Sequence, residues 1–254
     1  MEILDEDVKV KSLYKAIKLL DYFDSKNPER GISELAELSG LLKSTIHNIM
    51  STFEKCGFIE KNIKTNKYRL GLKILALSNV LSQTDDMRQS VKPFMDELAE
   101  KTGETVFFAT PYGTEIIYVE TVFPNDHVSA RSVKGVVAPM YCTSIGKAIL
   151  AYKPREFVQE VIEKGMERFT PNTLTDTNGF LKDLEETRQR GYSIDNMEHE
   201  YGIKCVGVPV RNSGGEVVAA LSLTGPSLRY TDDKIIEYSQ LLQATAKEIR
   251  KRLQ

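Results

Sequence analysis

The chain is predicted to be an α+β protein: an N-terminal winged helix-turn-helix over residues 1–71, a linker helix over 72–86, and a C-terminal antiparallel sheet flanked by helices over 87–254. Three observations predict it. Residues 31–58 carry two short helical patterns separated by Gly40. A basic, two-stranded pattern follows them directly. From Met87 onward, helical patterns alternate with strand pairs joined by turn signals.

An amphipathic helix is expected from about Val10 to Asp24, with Leu13, Ile17, Leu20 and Phe23 inward. The next helix should start near Ser33, a good N-cap, with Glu34 in its first turn and Leu35, Ala36 and Leu38 facing the core. Gly40 supplies the turn, where positive φ is cheap only for glycine. The second helix should run from Leu42 to Lys55 and bury Ile46, Ile49, Met50 and Phe53. Lys43, Ser44, Thr45, His47, Asn48 and Ser51 make up the rest of its first half. These groups can reach phosphates or base edges in a major groove. Gly57 should end the helix.

The wing strands are expected at Phe58–Glu60 and Lys67–Leu70, around a polar turn from Lys61 to Asn66. Residues 40–73 hold seven basic groups, Lys64, Lys67 and Arg69 of the wing among them, against two acidic ones. The whole chain carries a net charge of −2, so this local excess is what a phosphate-tracking surface requires. A helix pair around a glycine also occurs in ordinary all-α domains, and a basic run is commonly a solvated face. The two in direct succession favour double-stranded DNA.

Residues 71–83 are apolar on most faces, and such a helix must be covered. Covering it with a second copy of itself would give the two-fold symmetry a dimeric DNA reader needs; packing within its own chain is the alternative. Beyond it, Val91, Phe94, Met95 and Leu98 mark a helix that ends at Gly103. Strands are expected at Thr105–Thr110 and Glu115–Val122, with a hairpin turn at Pro111–Thr114, and a third at His127–Val133. Helices should cover Thr143–Tyr152, a stretch opened by Pro154, and Gly179–Arg190, which Gly191 closes. Strands return at Tyr192–Asp195, Lys204–Arg211 and Glu216–Thr224, the last two joined by Asn212-Ser213-Gly214-Gly215. A final helix begins at Thr231, with Ile235, Ser239, Leu242, Ala246, Ile249 and Leu253 inward.

Composition excludes several classes. The acidic start MEILDEDV has no apolar signal region, and no run approaches a membrane span of ~18 apolar residues, so a cytoplasmic protein is expected. Cys56, Cys142 and Cys205 are scattered and odd in number, which fits a reducing compartment. His47, His127 and His199 stand apart from any ligand spacing. Neither metal nor cofactor is expected.

The helix-turn-helix, the wing ending Tyr68-Arg69-Leu70-Gly71, and four C-terminal segments occur together and in order. The segments are PMYCTSIGKA (139–148), GYSID (191–195), GIKCVGVPV (202–210) and AALSLTGP (219–226). With them the chain resembles the IclR (isocitrate lyase regulator) family of bacterial transcription regulators over nearly its whole length. The resemblance implies a GAF-like C-terminal effector domain, and dimers or tetramers on palindromic operators, with repression as the expected mode. Two positions depart from the pattern. Leu42 stands where the family often has Pro or Ser, leaving the recognition helix poorly capped. Asn48 stands where Arg is frequent, which weakens the basic reading head and suits bidentate pairing with adenine.

The residues themselves support a small-ligand site. Thr143-Ser144-Ile145-Gly146 opens a helix whose free N–H groups attract an anion. Ser222 and Thr224 share one strand face, with Cys205 and Asp195 expected on neighbouring strands. By resemblance, Ser144 and Ile145 would offer main-chain N–H groups to a small organic acid. Asp195, Cys205, Ser222 and Thr224 would contribute side chains, and Ala130 and Met140 an apolar wall. Burial of the same Ser, Thr and Cys as ordinary core is the plain alternative; the C-terminal domain would then only dimerise.

An enzyme reading fails on order. Ser144-x-x-Lys147 and Lys101-Thr102-Gly103 match two motifs of acyl-serine hydrolases, but in the wrong sequence and without Ser-Asp-Asn. Gly146-Lys147 is no phosphate loop, since Tyr141 replaces its first glycine. No catalytic residue is assigned.

Overall fold

The computed structural model describes residues 8–84, 86–124 and 133–252, and of residues 82–84 and 86 the backbone alone. The chain forms two compact units, residues 2–85 and 86–254. The strand expected at His127–Val133, together with Ala130, lies almost wholly outside the described residues, as does Leu253.

In the first unit, α1 (Lys11–Lys18) runs into a 3-10 turn at Leu19–Tyr22. That change of winding shifts the buried face. Leu19 and Phe23 enter the core while Leu13 and Ile17 stay about half exposed, contrary to the expected stripe. α2 (Ile32–Ser39) is capped by Gly31 rather than Ser33. The Glu34 carboxylate reaches back to accept the Gly31 N–H at 2.6 Å. At ~100° per residue, Ile32, Leu35 and Ala36 share one face and Leu38 falls outside it; Leu38 is accordingly exposed. Gly40 adopts φ 68°, as the turn requires.

α3 (Lys43–Lys55) has no side-chain cap at Leu42. It ends in a Schellman motif: the Phe58 N–H donates to Phe53 O and the Gly57 N–H to Glu54 O, with the Phe53 and Phe58 rings 6.1 Å apart. β1 (Ile59–Lys61) and β2 (Tyr68–Leu70) pair antiparallel as the wing. Arg30 and Tyr68 exchange backbone hydrogen bonds, which ties the wing to the chain before α2. Leu19, Phe23, Leu35, Ile46, Met50, Ile59 and Tyr68 form the core. α4 (Leu72–Thr84) leaves Leu72, Leu75, Leu77, Val80 and Leu81 exposed.

The second unit has a six-stranded sheet, antiparallel throughout. Its elements are α5 (Asp86–Thr102), β3 (Thr105–Tyr112), β4 (Glu115–Val122), β5 (Val137–Pro139), α6 (Ser144–Leu150), α7 (Arg155–Glu163), α8 (Thr177–Arg190), β6 (Ser193–Asn196), β7 (Ile203–Arg211), β8 (Val217–Pro226) and α9 (Asp232–Arg250). The strand order is β5-β4-β3-β8-β7-β6. The hairpin turn falls at Gly113-Thr114 rather than Pro111–Thr114, because Tyr112 pairs with Glu115. Pro111 sits inside β3 without breaking a ladder, since β8 pairs β3 only as far as Ala109. β5 had no expectation in the sequence; three residues are too few to show a period.

Alternation gives the sheet two unlike faces. Val106, Phe108, Val206, Val208, Leu221 and Leu223 face α5 and α9 in one apolar cluster. Ala109, Ile116, Val217 and Ala220 face a second cluster with α6, α7 and α8. α6 can approach the strands so closely because of two glycines. A Cβ on Gly207 would sit 2.7 Å from the Ser144 carbonyl carbon, and one on Gly146 would collide with the Met140 backbone. Gly207→Ala should therefore lower stability by about 1–3 kcal/mol through overpacking, read as a shifted urea midpoint with unchanged m-value.

Candidate effector site and DNA-reading surface

Two cross-strand rows lie under α6. One joins Asp195 (β6), Cys205 (β7) and Thr224 (β8) by direct pairing. The next joins Ser193, Gly207, Ser222 and Phe107. The Ser193 hydroxyl donates to Ser144 O at 2.5 Å and so fixes the start of α6 over the sheet. The Cys205 thiol lies among the side chains of Asp195, Thr224 and Ser144. The structure thus brings Ser144, Asp195, Cys205 and Thr224 together, with Ser222 buried one row away.

The Thr224 hydroxyl is buried and meets no partner at full hydrogen-bond geometry, although the Cys205 thiol lies near enough to interact with it. At the start of α6, Thr143 Oγ1 accepts the Gly146 N–H at 3.2 Å. Ser144 and Ile145 occupy the two first-turn positions whose N–H groups have no acceptor within the helix. The Ile145 side chain is buried in the second cluster, as is Met140. Tyr118 also adjoins that cluster and in turn neighbours Cys205 and Asp195. Ala130 lies outside the described residues.

Electrostatics of the site are set by burial. Burial pushes the Asp195 carboxyl up to about 7, against the downward pull of the Glu198 N–H and the Lys147 ammonium. Burial also raises the Cys205 and Cys142 thiols and the Tyr118 hydroxyl above their ordinary values, Asp195 adding to each. Near neutrality the site is therefore polar without a full negative charge. Sequence reasoning placed Asp195 here but missed Tyr118, Cys142 and the neighbouring Lys147–Glu198 pair at 2.6 Å. The available signal for the pair was a lysine inside SIGKAIL, a helix with no polar face.

On the first unit, Lys43, Ser44, Thr45, His47 and Asn48 project from the first half of α3 and are exposed, while Ser51 is half-buried. Among the described residues no intrachain hydrogen bond or ion pair holds the side chains of Ser44, Thr45, His47 or Asn48. The wing cations differ from expectation. Lys67 pairs with Glu34 at 2.8 Å, and Arg69 with its cross-strand neighbour Glu60 at 3.0 Å. Lys67 and the Gly31 N–H hold the Glu34 carboxyl below the usual range. Lys64 has no carboxylate partner among the described residues, so it presents its charge outright. The wing is further anchored where Asn62 Nδ2 donates to Glu29 at 2.9 Å.

A winged helix-turn-helix joined to a sheet domain of this order defines a DNA-binding transcription regulator. Comparison with known proteins places it further. The IclR helix-turn-helix domain matches residues 12–62, and the bacterial transcriptional regulator IclR C-terminal domain matches residues 79–251. The chain belongs to the IclR family of bacterial transcriptional regulators. It is 33% identical over 236 residues to the regulator XynR of Escherichia coli, covering 92% of this chain and 93% of that protein. It is 30% identical over 244 residues to the Escherichia coli repressor IclR, covering 95% and 89%. A solved IclR-type regulator from Silicibacter superposes with TM-score 0.84 at 27% identity over 95% of each chain. The protein is a transcriptional regulator. No helix among the described residues is long and apolar enough to cross a membrane.

Asp195 gives the site a pH signature. Its folded pKa lies above the ordinary 3.8, so the native state holds an extra proton between about pH 4 and 7. Its contribution to stability is present in acid and is lost as pH rises through that window, at up to about 1.4 kcal/mol per pH unit. Asp195→Asn should therefore gain stability relative to wild type as pH rises from about 5 to 8, in paired urea titrations.

Proposed function

We propose that the chain is a repressor that binds a palindromic operator as a homodimer or homotetramer, and that a small organic acid bound in the C-terminal unit controls this binding. The observation that carries the ligand reading is the convergence of Ser144, Asp195, Cys205 and Thr224 beneath the start of α6, with the Thr224 hydroxyl buried and without a partner at full hydrogen-bond geometry. A buried polar group without a partner costs about 1–3 kcal/mol, and a ligand hydroxyl or carbonyl would relieve it. The Ser144 and Ile145 N–H groups would take the carboxylate. A protonated Asp195 would donate rather than repel, which meets the requirement that two bare carboxylates not face each other. Ser222, Met140 and Ala130 complete the proposed set. An IclR homolog from Microbacterium hydrocarbonoxydans, alike in fold at 24% identity, is complexed with 4-hydroxybenzoate.

The proposed divisions are a DNA-reading domain at 1–71, a linker helix at 72–86 and an effector domain at 87–254. The exposed leucines of α4 are proposed as the face that a second copy covers. Two heads so joined would read half-sites about one helical turn, or a multiple, apart. The name of the Escherichia coli repressor supports the mode of action. Lys43, Ser44, Thr45, His47, Asn48 and Ser51 are proposed to enter the major groove, with Lys64, Lys67 and Arg69 on phosphates.

Two outcomes test these assignments. Pyruvate, glycolate, gluconate and 4-hydroxybenzoate at millimolar concentration should include at least one that raises Tm, following RT ln(1 + [L]/Kd), and Thr224→Val should abolish that rise. A flat response to every acid would favour a C-terminal unit that only dimerises. On DNA, Lys64→Ala should weaken binding to all duplexes and reduce the salt slope by about one. Lys67→Ala should do less, because Glu34 already shares that charge. Asn48→Ala should change sequence preference instead; identical behaviour of the Lys64 and Asn48 variants would contradict the division of roles.

A further inference from the structure

Lys147 is not among the side chains proposed to hold the ligand, yet it is fully buried in α6. Its Nζ lies 2.6 Å from Glu198 Oε1 and 2.9 Å from Asp183 Oδ2 of α8. Arg190 approaches the other Asp183 oxygen at 3.6 Å. Taking an ammonium out of water is costly, and such a group persists where its partners are well placed. Burial opposes the charge, but Glu198 and Asp183 outweigh that and hold the ammonium above its ordinary range.

Glu198 is more than an ion-pair partner. Its backbone N–H donates to Asp195 Oδ1 at 2.7 Å, and the neighbouring His199 backbone N–H adds to the downward pull on the Asp195 carboxyl. Its carboxylate accepts the Asn196 N–H at 3.3 Å, and its carbonyl accepts the Thr173 hydroxyl at 2.6 Å. Between them Met197 holds φ at 61°, a conformation that costs a non-glycine residue about 1 kcal/mol or more. The Thr170 hydroxyl donates to the Met197 carbonyl at 2.6 Å. The turn from Asp195 to His199 is thus held in place by its surroundings. Lys147 joins it to α6, one helical turn beyond Ser144.

We infer that Lys147 is a positioning residue for the ligand site: through Glu198 it fixes the turn whose N–H groups orient the Asp195 carboxyl, and it couples that turn to the helix carrying Ser144. The functional meaning rests on the effector reading, whereas the coupling itself can be read on ligand-free protein. The groups that bear on Asp195 are Lys147 on α6, Cys142 just before it, Tyr118 on β4, Cys205 on β7 and Glu198 in the turn. Lys147 is the cation among these. Removing it withdraws positive charge and loosens the N–H donors, and both changes push the Asp195 carboxyl up.

The test is Lys147→Gln in the full chain without ligand, with NMR titration of the Asp195 carboxyl carbon and amide exchange at Glu198 and His199. Asp195 should titrate about one pH unit higher than in wild type, a tenfold change in proton affinity. The two amides should exchange at least ~10-fold faster, and Lys147→Arg should restore both toward wild type. An unchanged titration and unchanged exchange in folded Lys147→Gln would overturn the inference. Should that variant fail to fold, Glu198→Gln decides by amide exchange: with the link to Lys147 weakened, the N–H groups of residues 198 and 199 should exchange at least ~10-fold faster than in wild type, and unchanged exchange overturns the inference. Failure of every acid to bind the wild type would sink the effector reading and leave this result standing.

Discussion

The close seating of α6 on the sheet is the constraint on which the C-terminal unit depends. Gly207 removes the side chain that would hold the helix off, and Gly146 lets the chain at Met140 cross behind it. With the gap closed, Ser193 can reach the Ser144 carbonyl, and the start of the helix comes to lie above Asp195, Cys205 and Thr224. The same seating buries Lys147, which then needs carboxylates, and the turn after β6 supplies one of them. A polar site, its charge balance and its anchoring pair all follow from two missing side chains.

The two faces of the sheet divide the work. The face toward α5 and α9 is aliphatic and aromatic and serves stability. The face toward α6 carries Ser, Thr, Cys and Asp at alternate positions, where an ordinary core would carry valine and leucine. Burial of so many polar groups costs free energy unless each is paired. Among the described residues, the buried hydroxyls of Thr224 and Thr121 on that face meet no partner at full hydrogen-bond geometry. The first unit shows a related economy in its charges. Its wing cations are braced by Glu34 and Glu60, so part of the local positive excess is spent on holding the wing rather than on display.

Much of this was legible in the sequence because it rests on periodicity. α3, the wing, the β7–β8 hairpin and the helix starts at Thr143 and Thr231 follow from spacing and turn chemistry within a few residues of one another. Asp195, Cys205 and Thr224 could be assigned to one face from alternation and the family resemblance together. What was hidden depends on contacts across long separations. Leu13 and Ile17 were misplaced because a 3-10 turn at Leu19 rephases the helix. The Gly31 cap escaped because Glu34 supplies it from within the helix. The Lys147–Glu198 pair spans 51 positions, and the Lys67–Glu34 pair 33. No local pattern announces such a pair; a lysine in an apolar helix is the faint trace of the first.

The central claim is that the site beneath α6 and the DNA-reading surface are thermodynamically linked. Coupling of this kind is typically ~1–3 kcal/mol and must be reciprocal. The direct measurement is the affinity of whichever acid raises Tm, taken by calorimetry with the protein free and again saturated with an operator duplex selected from random sequence. The account predicts that DNA changes the acid's affinity by ~5–150-fold, and that the acid changes operator affinity by the same factor. Equal acid affinity in the two states would contradict it.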